Sequence, residues 1–234
     1  MRASNLARTW DSVEPASAIG TLNDVELRHA PDRLYVQGDI SLLSAGPKVS
    51  IVGSRNASPA GLARARKLAT SFVKNNMIVV SGLAQGIDTA AHEAAIAAGG
   101  RTIAVLGTPL DQSYPKENAA LQALIGRKHL IVSQFAVGRP TSRANFPQRN
   151  RTMALLTDAT VIVEASEKSG SLHQGWEAIR LGRPLFIMRS MVEDRSLSWP
   201  AKMRGYGAQV LSTENLKTVV ENLPSFAHTD AAPF

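Results

Sequence analysis

The residues best suited to chemistry lie in the segment 145–151, which reads N-F-P-Q-R-N-R and precedes an apolar run at 160–164. Arginine side chains fit phosphate oxygens bidentately, and an exposed phenylalanine can stack on a base. A small-residue turn, Ser169-Gly170-Ser171, follows the apolar run and can present backbone N–H groups to an anion. In an open α/β sheet, ligands bind outside the carboxyl ends of the strands, so these residues should converge on one crevice. The pattern predicts a nucleotide or nucleic-acid site.

The distribution of charge points the same way. The chain carries a net charge of +7 at pH 7, which favours a polyanionic partner. Residues 127–157 contain no Asp or Glu but include these basic residues: Arg127, Lys128, Arg139, Arg143, Arg149 and Arg151. A solvated surface usually mixes both signs, so this acid-free segment predicts an anion-facing side of the molecule. A basic surface that serves only solubility is the alternative.

Composition excludes several classes of protein. The 234 residues, 44% of them hydrophobic, can bury one substantial core or one core with a small appendage. The absence of cysteine excludes disulfides and thiolate metal sites. No apolar stretch reaches the roughly 18 residues that indicate a transmembrane helix, and the N-terminus lacks the pattern of a secretory signal. We therefore expect a cytoplasmic protein with no membrane partner.

Between residues 48 and 211, short apolar runs alternate with stretches of helical periodicity. The pattern predicts strands at 49–52, 77–80, 102–106, 129–132, 160–163, 184–188 and 208–211. It predicts helices at 60–74, 88–98, 116–125, 148–156, 171–181 and 214–222. Strands that are apolar throughout and separated by helices are typical of a parallel sheet covered on both faces. The predicted fold class is α/β, with a doubly wound, mostly parallel, Rossmann-like sheet.

The pattern also divides the chain into three segments. Residues 1–45 are polar and predict an irregular N-terminal lead-in, within which 33–39 is a candidate short strand. Residues 46–222 are predicted to form the Rossmann-like domain, which would carry the site. Residues 223–234 show no periodicity and predict a flexible tail.

Two of the predicted strands end in turns that suit a phosphate. Gly53-Ser54-Arg55 offers close backbone approach, a hydroxyl and a positive charge, and Ser81-Gly82 begins a loop closed by a second glycine. Neither turn forms a G-x-G-x-x-G motif, and no G-x-x-x-x-G-K-[ST] motif occurs, so conventional dinucleotide and P-loop sites are excluded. We predict no cofactor. A tight strand-to-helix turn with an exposed arginine is the structural alternative for the first turn.

The acidic residues and histidines suggest structural more than catalytic roles. Asp88 and His92 are four residues apart on a predicted helix, and we favour a structural Asp–His pair over catalysis. Glu164 ends a buried strand and could bind a ligand hydroxyl or hold an arginine of the segment 145–151. Glu177 follows the small-residue turn and could point into the crevice. His173 has no second ligand at metal spacing, so we predict no metal site and no catalytic residue.

Taken in order, these motifs resemble those of the DprA/Smf family, the bacterial DNA-processing proteins. The similarity extends from residue 31 to residue 185, about two thirds of the chain. The matching motifs are L-Y-V-Q-G-D at 34–39, V-G-S-R at 52–55, S-G-L-A-Q-G-I-D-T-A-A-H at 81–92, T-I-A-V-L-G at 102–107, Y-P-K-E-N at 114–118, N-F-P-Q-R-N-R at 145–151, V-E-A at 163–165 and S-G-S-L at 169–172. So many motifs in one order make the resemblance specific.

The resemblance implies a Rossmann-like protein that binds single-stranded DNA without catalysis. Members of the family protect incoming strands during natural transformation and help to load the RecA recombinase, usually as homodimers. Carried over to this sequence, the expected DNA-binding residues are Gly53, Ser54, Arg55, Ser81, Gly82, Arg143, Asn145, Phe146, Arg149, Asn150, Arg151, Ser169 and Gly170. Arginines and amides would follow the phosphates, and Phe146 would stack on a base.

Departures from the family pattern leave a second hypothesis open. His173-Gln174-Gly175 follows S-G-S-L where the family places a threonine one residue on, and Met188-Arg189-Ser190 replaces a Pro-Gly pair. Because only a short tail follows residue 222, we expect a minimal or divergent member of the family. The alternative is a nucleotide-binding sensor or a LOG-type nucleoside-monophosphate phosphoribohydrolase with Glu177 as its catalytic residue. The full glycine motif of those enzymes is absent.

Overall fold

Apolar strands and amphipathic helices alternate along the chain and build one sheet with helices on both faces. The computed structural model describes residues 10–223. Within that range the strands are β1 (Asp11–Val13), β2 (Leu34–Gly38), β3 (Lys48–Val52), β4 (Ile78–Ser81), β5 (Thr102–Leu106), β6 (Leu130–Ser133), β7 (Ala159–Ile162), β8 (Leu185–Met188) and β9 (Gln209–Leu211). The helices are α1 (Pro15–Ile19), α2 (Asp24–Leu27), α3 (Pro59–Lys74), α4 (Ile87–Ala97), α5 (Ala119–Lys128), α6 (Asn145–Leu155), α7 (Ser171–Arg180), α8 (Arg189–Val192), α9 (Trp199–Gly205) and α10 (Leu216–Glu221).

The strand order confirms the predicted fold class. The sheet runs β1-β2-β6-β5-β4-β3-β7-β8-β9, and every pair from β6 to β9 is parallel. Only the β1–β2 and β2–β6 pairs are antiparallel. The order reverses between β3 and β7, because the chain winds outward from β3 in one direction and later from β7 in the other. In doubly wound sheets, this switch point is where a crevice opens at the carboxyl ends of the strands.

Helix α3 illustrates how the sequence builds these elements. Ser58 caps it by accepting a hydrogen bond from the N–H of Gly61 on its side-chain oxygen at 3.0 Å, and Pro59 occupies the first turn. Leu68 and Phe72, four residues apart, turn the same apolar face to the sheet and are almost fully buried. Burial of one such side chain contributes about 1.5–3 kcal/mol to stability. Helices α4 and α10 cover the same face, and α6, α7 and α9 cover the other.

The N-terminal segment is more ordered than the predicted irregular lead-in. The candidate strand at 33–39 is present as β2, which pairs with β6 and buries Leu34 and Val36. Helix α2 forms because Asn23 and Glu26 make reciprocal side-chain-to-backbone hydrogen bonds at its first turn. Residues 1–9 and 224–234 lie outside the described residues, and with them nearly all of the predicted flexible tail.

Three other predictions differ from the structure. Helix α6 begins at Asn145, three residues before the predicted start, because Pro147 falls in the first turn, where a backbone N–H is not needed. The predicted helix at 116–125 begins as a 3-10 turn, Lys116–Asn118, and becomes α-helical at Ala119. Helices α8 and α9 lie where no helix was predicted, and α9 buries Trp199. Within the described residues, no helix combines the length and hydropathy needed to cross a bilayer.

Candidate nucleic-acid interface

A cavity of about 270 Å³ opens at the switch point, at the carboxyl ends of β3 and β7. The loops that follow β3, β4 and β7 line it together with α6 and α7. Most of the predicted site residues line this cavity: Gly53, Ser54, Arg55, Phe146, Arg149, Asn150, Ser169 and Gly170. Gly82 lines an adjoining cavity of about 40 Å³. The expected convergence of the loops on one crevice is therefore observed.

The loop after β3 is held by backbone contacts that leave its side chains available. The Ser54 N–H donates to the carbonyl oxygen of Glu164 at 2.7 Å, and the Ile87 N–H donates to the carbonyl oxygen of Ser54 at 3.2 Å. A Cβ at Gly53 would lie 2.6 Å from the Ile87 side chain, so only glycine fits there. Within residues 10–223 the Arg55 guanidinium forms no ion pair. The loop therefore presents an exposed cation at the mouth of the cavity.

Arg149 is a buried cation held by carbonyl oxygens. Its Nη1 donates to the carbonyl oxygens of Gly82 and Val105, the latter at 2.8 Å, and its Nε donates to Asn150 Oδ1 at 2.9 Å. Its Nη2 donates to none of the described residues. A Cβ at Gly82 would lie 2.2 Å from Arg149 Nη1, so the glycine makes room for the guanidinium.

The charge of Arg149 is only partly balanced by the protein. Burial lowers the pKa of the guanidinium, and the negative charge of Asp88 opposes that effect. Arg149 forms no ion pair within 4 Å among the described residues. A buried cation that forms no direct ion pair attracts an anion strongly, because low local dielectric strengthens the interaction.

Asp88 holds the loop after β4 and does not form the predicted pair with His92. Its carboxylate accepts hydrogen bonds from the N–H groups of Gly82 at 3.2 Å and Ala84 at 3.3 Å. Burial raises the pKa of this carboxyl group, and Arg149 opposes the shift. Asp88 lies in the first turn of α4 and faces back to the loop.

His92, one turn further along α4, faces β5 instead. The Thr102 hydroxyl donates its proton to the Val79 carbonyl oxygen at 2.7 Å, so His92 Nδ1 is the donor in its 2.7 Å contact with that hydroxyl. Burial lowers the pKa of His92 to about 3. The structure therefore makes this histidine a neutral core residue, and the predicted Asp–His pair is wrong.

Phe146 and Tyr114 form an aromatic platform beside the cavity. Their ring centroids lie 5.3 Å apart at an angle of 51°, and the Arg55 guanidinium carbon lies 5.6 Å from the Phe146 centroid. A Cβ at Gly107 would lie 2.7 Å from the Phe146 ring, so the ring rests directly on that turn. Because Phe146 is covered on several sides, the 48% exposed Tyr114 ring offers the more open surface for a base.

The small-residue turn before α7 completes the cavity. Asn150 Nδ2 donates to the Gly170 carbonyl oxygen at 3.1 Å and so joins α6 to this turn. The hydroxyl groups of Ser169 and Ser171 are 2.7 Å apart and share one hydrogen bond. Together they place hydroxyl groups and the N-terminal N–H groups of α7 on the side of the cavity opposite the loop after β4, an arrangement that suits phosphate oxygens.

Four predicted site residues do not line either cavity. The Ser81 hydroxyl donates to the Ile51 carbonyl oxygen at 2.6 Å, inside the sheet, because side chains alternate along a strand. Asn145 is buried in the first turn of α6, where its Oδ1 accepts a hydrogen bond from the Ser142 hydroxyl at 2.9 Å. Arg143 is exposed on the preceding loop. Arg151 forms an ion pair with Glu177 at 3.5 Å.

Both candidate glutamates are held by the protein, outside the cavity. Glu164 accepts hydrogen bonds from the Ser58 N–H at 2.8 Å and the Ser58 hydroxyl at 2.6 Å, so it supports the start of α3 and does not hold an arginine as predicted. Glu177 forms ion pairs with Arg180 and with Arg151, the latter at 3.5 Å. The prediction that Glu177 points into the crevice is therefore wrong.

Sequence reasoning missed the contribution of Tyr114, Asn56, Ser166 and Gln174 to these cavities. Tyr114 lies in a matched motif, Y-P-K-E-N, but nothing in its residue types indicated that the ring reaches Phe146. Gln174 is fully buried and lines the cavity, about one turn into a region predicted only as helix. No group of three or more His, Asp or Glu side chains within residues 10–223 is arranged to hold a metal ion.

Comparisons with known proteins identify the family. The sequence profile of DNA recombination-mediator protein A matches residues 19–224. The chain is 43% identical to the DNA processing protein DprA of Streptococcus pneumoniae over an alignment of 169 residues. That alignment covers 72% of this chain and 59% of the relative. Across the curated relatives that it matches first, the chain spans about half to two thirds of their length.

Solved structures agree with the profile match. The X-ray structure of DNA processing protein A from Streptococcus pneumoniae superposes with a TM-score of 0.79 and 35% identity, covering 93% of this chain and 75% of that one. A structure of DNA processing protein A from Helicobacter pylori that describes its single-stranded DNA binding mode superposes with a TM-score of 0.76 and 27% identity, covering 92% and 97% of the two chains. The chain therefore belongs to the DNA recombination-mediator protein A family, known also as DprA/Smf.

Proposed function

We propose that this chain binds single-stranded DNA in DNA processing and recombination, and that it does so without catalysing a reaction. The observation that carries the proposal is the convergence of Arg55, Phe146 and Arg149 on one crevice at the switch point. The names of the chain's relatives, and the DNA binding described for the Helicobacter pylori protein, support the same function.

The chemistry of the crevice suits a strand whose bases are unpaired. Arg55 and the free Nη2 of Arg149 would bind successive phosphates, each charged hydrogen bond contributing about 1.5–3 kcal/mol. The platform of Tyr114 and Phe146 would stack a base, a contact that contributes about 1–3 kcal/mol and tolerates any base. Such stacking needs a base that is already free of its partner, which favours single strands over duplexes.

The proposal extends to partners and setting. The family resemblance supports a homodimer that acts in the cytoplasm, protects incoming strands and helps to load RecA. These parts rest on the resemblance, whereas DNA binding also rests on the geometry of the crevice. The alternative of a nucleotide sensor or a LOG-type phosphoribohydrolase has less support, because the ion pairs of Glu177 direct it away from the cavity.

The test is the affinity of the purified chain for a labelled single strand, a matching duplex and nucleoside monophosphates, measured by fluorescence anisotropy across a salt series. We expect a preference for the single strand and an affinity that falls steeply with salt. Arg55→Ala should weaken single-strand binding about tenfold or more, because one charged phosphate contact is lost. The matched control is Arg66→Ala, which removes the same charge from an exposed position on α3.

Arg149→Ala provides a second test at the buried end of the crevice. It should weaken binding to single strands of every sequence, because a phosphate contact carries no base information. The variant also removes the hydrogen bonds that Arg149 donates to two carbonyl oxygens, which can lower stability. Its melting temperature is therefore measured together with its affinity. Unchanged affinity in both arginine variants, or saturable binding of a mononucleotide with no binding of DNA, would overturn the proposed function.

A further inference from the structure

A second open groove lies at the carboxyl edge of the sheet, beyond the crevice. It has a volume of about 520 Å³ and is lined by residues that include Arg33, Tyr35, Gln134 and Arg139. Arg33 directly precedes β2 and Gln134 directly follows β6. Because these two strands are antiparallel and Tyr35 is paired with Ser133, both residues lie at the edge where β3, β4 and β5 also end.

The groove and the crevice therefore lie along one line. The crevice opens between β7 and β3, and the groove opens between β6 and β2, four strand spacings away. With strands about 4.8 Å apart, the two are separated by about 19 Å. The aromatic platform at the ends of β4 and β5 lies between them.

The position of Arg139 is fixed from two directions. Its guanidinium carbon lies 5.5 Å from the centroid of the buried Phe135 ring. Its backbone carbonyl accepts a hydrogen bond from Gln112 Nε2 at 3.4 Å, and the Thr141 hydroxyl donates to Gln112 Oε1 at 2.8 Å. The loop after β6 is thus tied to the loop after β5, and it holds an exposed cation over the groove.

The charges of the groove favour an anion. Arg33 contacts only a neutral partner among the described residues, the Ser12 hydroxyl at 3.3 Å, and Arg139 forms no ion pair among them. The carboxylate of Asp32 also lines the groove and opposes their charge. Two arginines against one carboxylate leave a net positive surface.

We infer that the groove is a second phosphate-binding subsite, which takes the continuation of the strand held in the crevice. The inference rests on the proposed function, because the strand must first occupy the crevice. At about 3.4 Å per stacked nucleotide, the separation corresponds to about six nucleotides. Strands shorter than this reach only the crevice, and longer strands reach both sites.

The test measures affinity for oligothymidylates from about 4 to about 16 nucleotides, across a salt series. In the unaltered chain, affinity should rise with length until both sites are filled and then level off. The double variant Arg33→Ala/Arg139→Ala should lose about tenfold in affinity for long strands and less than about twofold for the shortest. Its slope of log affinity against log salt should fall by about 1.4, since each lost phosphate contact on a single strand contributes about 0.7.

Two further variants make the test specific. Arg66→Ala/Arg101→Ala removes the same charge from exposed positions on α3 and at the amino end of β5, and it should leave both the length dependence and the slope unchanged. Asp32→Asn should raise the affinity for long strands by about twofold and leave short strands unaffected, a gain that a purely structural role would not produce.

The outcomes separate this inference from the proposed function. If Arg55→Ala weakens every length but the Arg33/Arg139 double variant weakens none, the crevice binds DNA and the groove does not. If the double variant weakens short and long strands equally, the groove arginines act only through net charge, and the subsite is overturned. If no strand of any length binds, both the proposed function and this inference are wrong.

Discussion

The two edges of the sheet each contain a cavity lined by basic residues, yet they differ in how the charges are balanced. At the amino edge, a cavity of about 210 Å³ is lined by Lys48, Asp158 and Arg183. Arg183 forms an ion pair with the buried Glu26 at 2.6 Å. The Asp158 carboxylate accepts the Lys48 backbone N–H at 2.6 Å, while the Lys48 ammonium donates to the Gly46 carbonyl oxygen at 2.9 Å. Burial lowers the pKa of Lys48, and the negative charge of Asp158 opposes that effect. Two basic residues thus face two acidic ones.

At the carboxyl edge the balance is incomplete. Arg55 and Arg149 line the crevice with Asp88 as their acidic neighbour, and the donors that hold Arg149 in place bind carbonyl oxygens, not a carboxylate. A cation that the protein already pairs stabilises the fold, whereas one held by neutral groups retains most of its attraction for a ligand. Charge balance therefore distinguishes these two cavities of similar volume more clearly than size does.

Among variants that test the difference between the two edges, Arg183→Ala should have the largest effect on stability. Loss of one partner from a buried ion pair should lower the free energy of unfolding by about 3–5 kcal/mol, because Glu26 is left buried and unpaired. Urea denaturation measures the loss, and single-strand affinity in the folded variant should stay unchanged. Arg189→Ala is the matched control: its ion pair with Glu214 is exposed, and its loss should cost less than about 1 kcal/mol. Impaired DNA binding in folded Arg183→Ala would break the contrast between the edges.

Acid should weaken binding only by lowering the stability of the fold. The pKa of His92 is about 3 in the folded chain and about 6.5 in an unfolded one. The unfolded chain therefore binds the proton more tightly, and stability is lost as pH falls from 6.5 towards 3. Between pH 7 and pH 4.5 the contribution of His92 is of the order of 2–3 kcal/mol.

His92→Gln should flatten the dependence of urea midpoint on pH, even if it lowers stability at pH 7. The control is His173→Gln, which replaces an exposed histidine and should leave the pH dependence unaltered. Because His92 does not line the crevice, its protonation should reduce DNA binding only through the loss of folding. A loss of binding at a pH where the chain is still folded would contradict this assignment.

Gly82→Ala should affect both properties at once. Its Cβ would meet the Arg149 guanidinium, which carbonyl oxygens hold from two sides, and such overpacking costs about 1–3 kcal/mol. Displacement of the guanidinium should also weaken single-strand binding. Gly170→Ala is the control within the same cavity: nothing lies within 4 Å of its Cβ, and its stability should change by less than about 0.5 kcal/mol. Equal effects of the two substitutions, measured by denaturation and anisotropy, would show that the glycine–arginine contact is unimportant.

The smallest effect is expected from Glu177→Gln. Its ion pairs with Arg151 and Arg180 are partly exposed, so their loss should cost less than about 1 kcal/mol and change single-strand affinity by less than about twofold. Neither form of the chain should cleave nucleoside monophosphates. A cleavage activity that is present in the unaltered chain and absent from Glu177→Gln would instead establish the phosphoribohydrolase alternative.

Sequence reasoning located the fold and the crevice because both depend on patterns that many residues share. Strands such as β5 are apolar at every position, and a parallel sheet then places their carboxyl ends at one edge. The direction of single side chains depends on finer geometry. Arg149 and Arg151 are two residues apart on α6, which rotates them by about 200°, so one enters the crevice and the other meets Glu177.

The same limit applies to charge. The acid-free segment predicted one basic side, but the fold separates its members widely. Arg127 and Lys128 end α5 just before β6 begins, at the amino edge, and Arg151 is paired. Arg139 and Arg143 alone remain exposed near the carboxyl edge. A count along the chain cannot distinguish these positions, because it lacks the direction in which each helix runs.

The position of β3 at the centre of the sheet has a consequence for the synthesis of the chain. β3 pairs with β4 on one side and with β7 on the other, and the contact between Lys48 and Asp158 spans 110 residues. At about 5–20 residues per second, a ribosome needs about 5–20 seconds to deliver β7 after β3. During that interval one edge of an apolar strand is bare, and α6, which carries Arg149, emerges just before the strand that covers it. The nascent chain therefore acquires the crevice only after β7 has been synthesised and has closed the bare edge of β3.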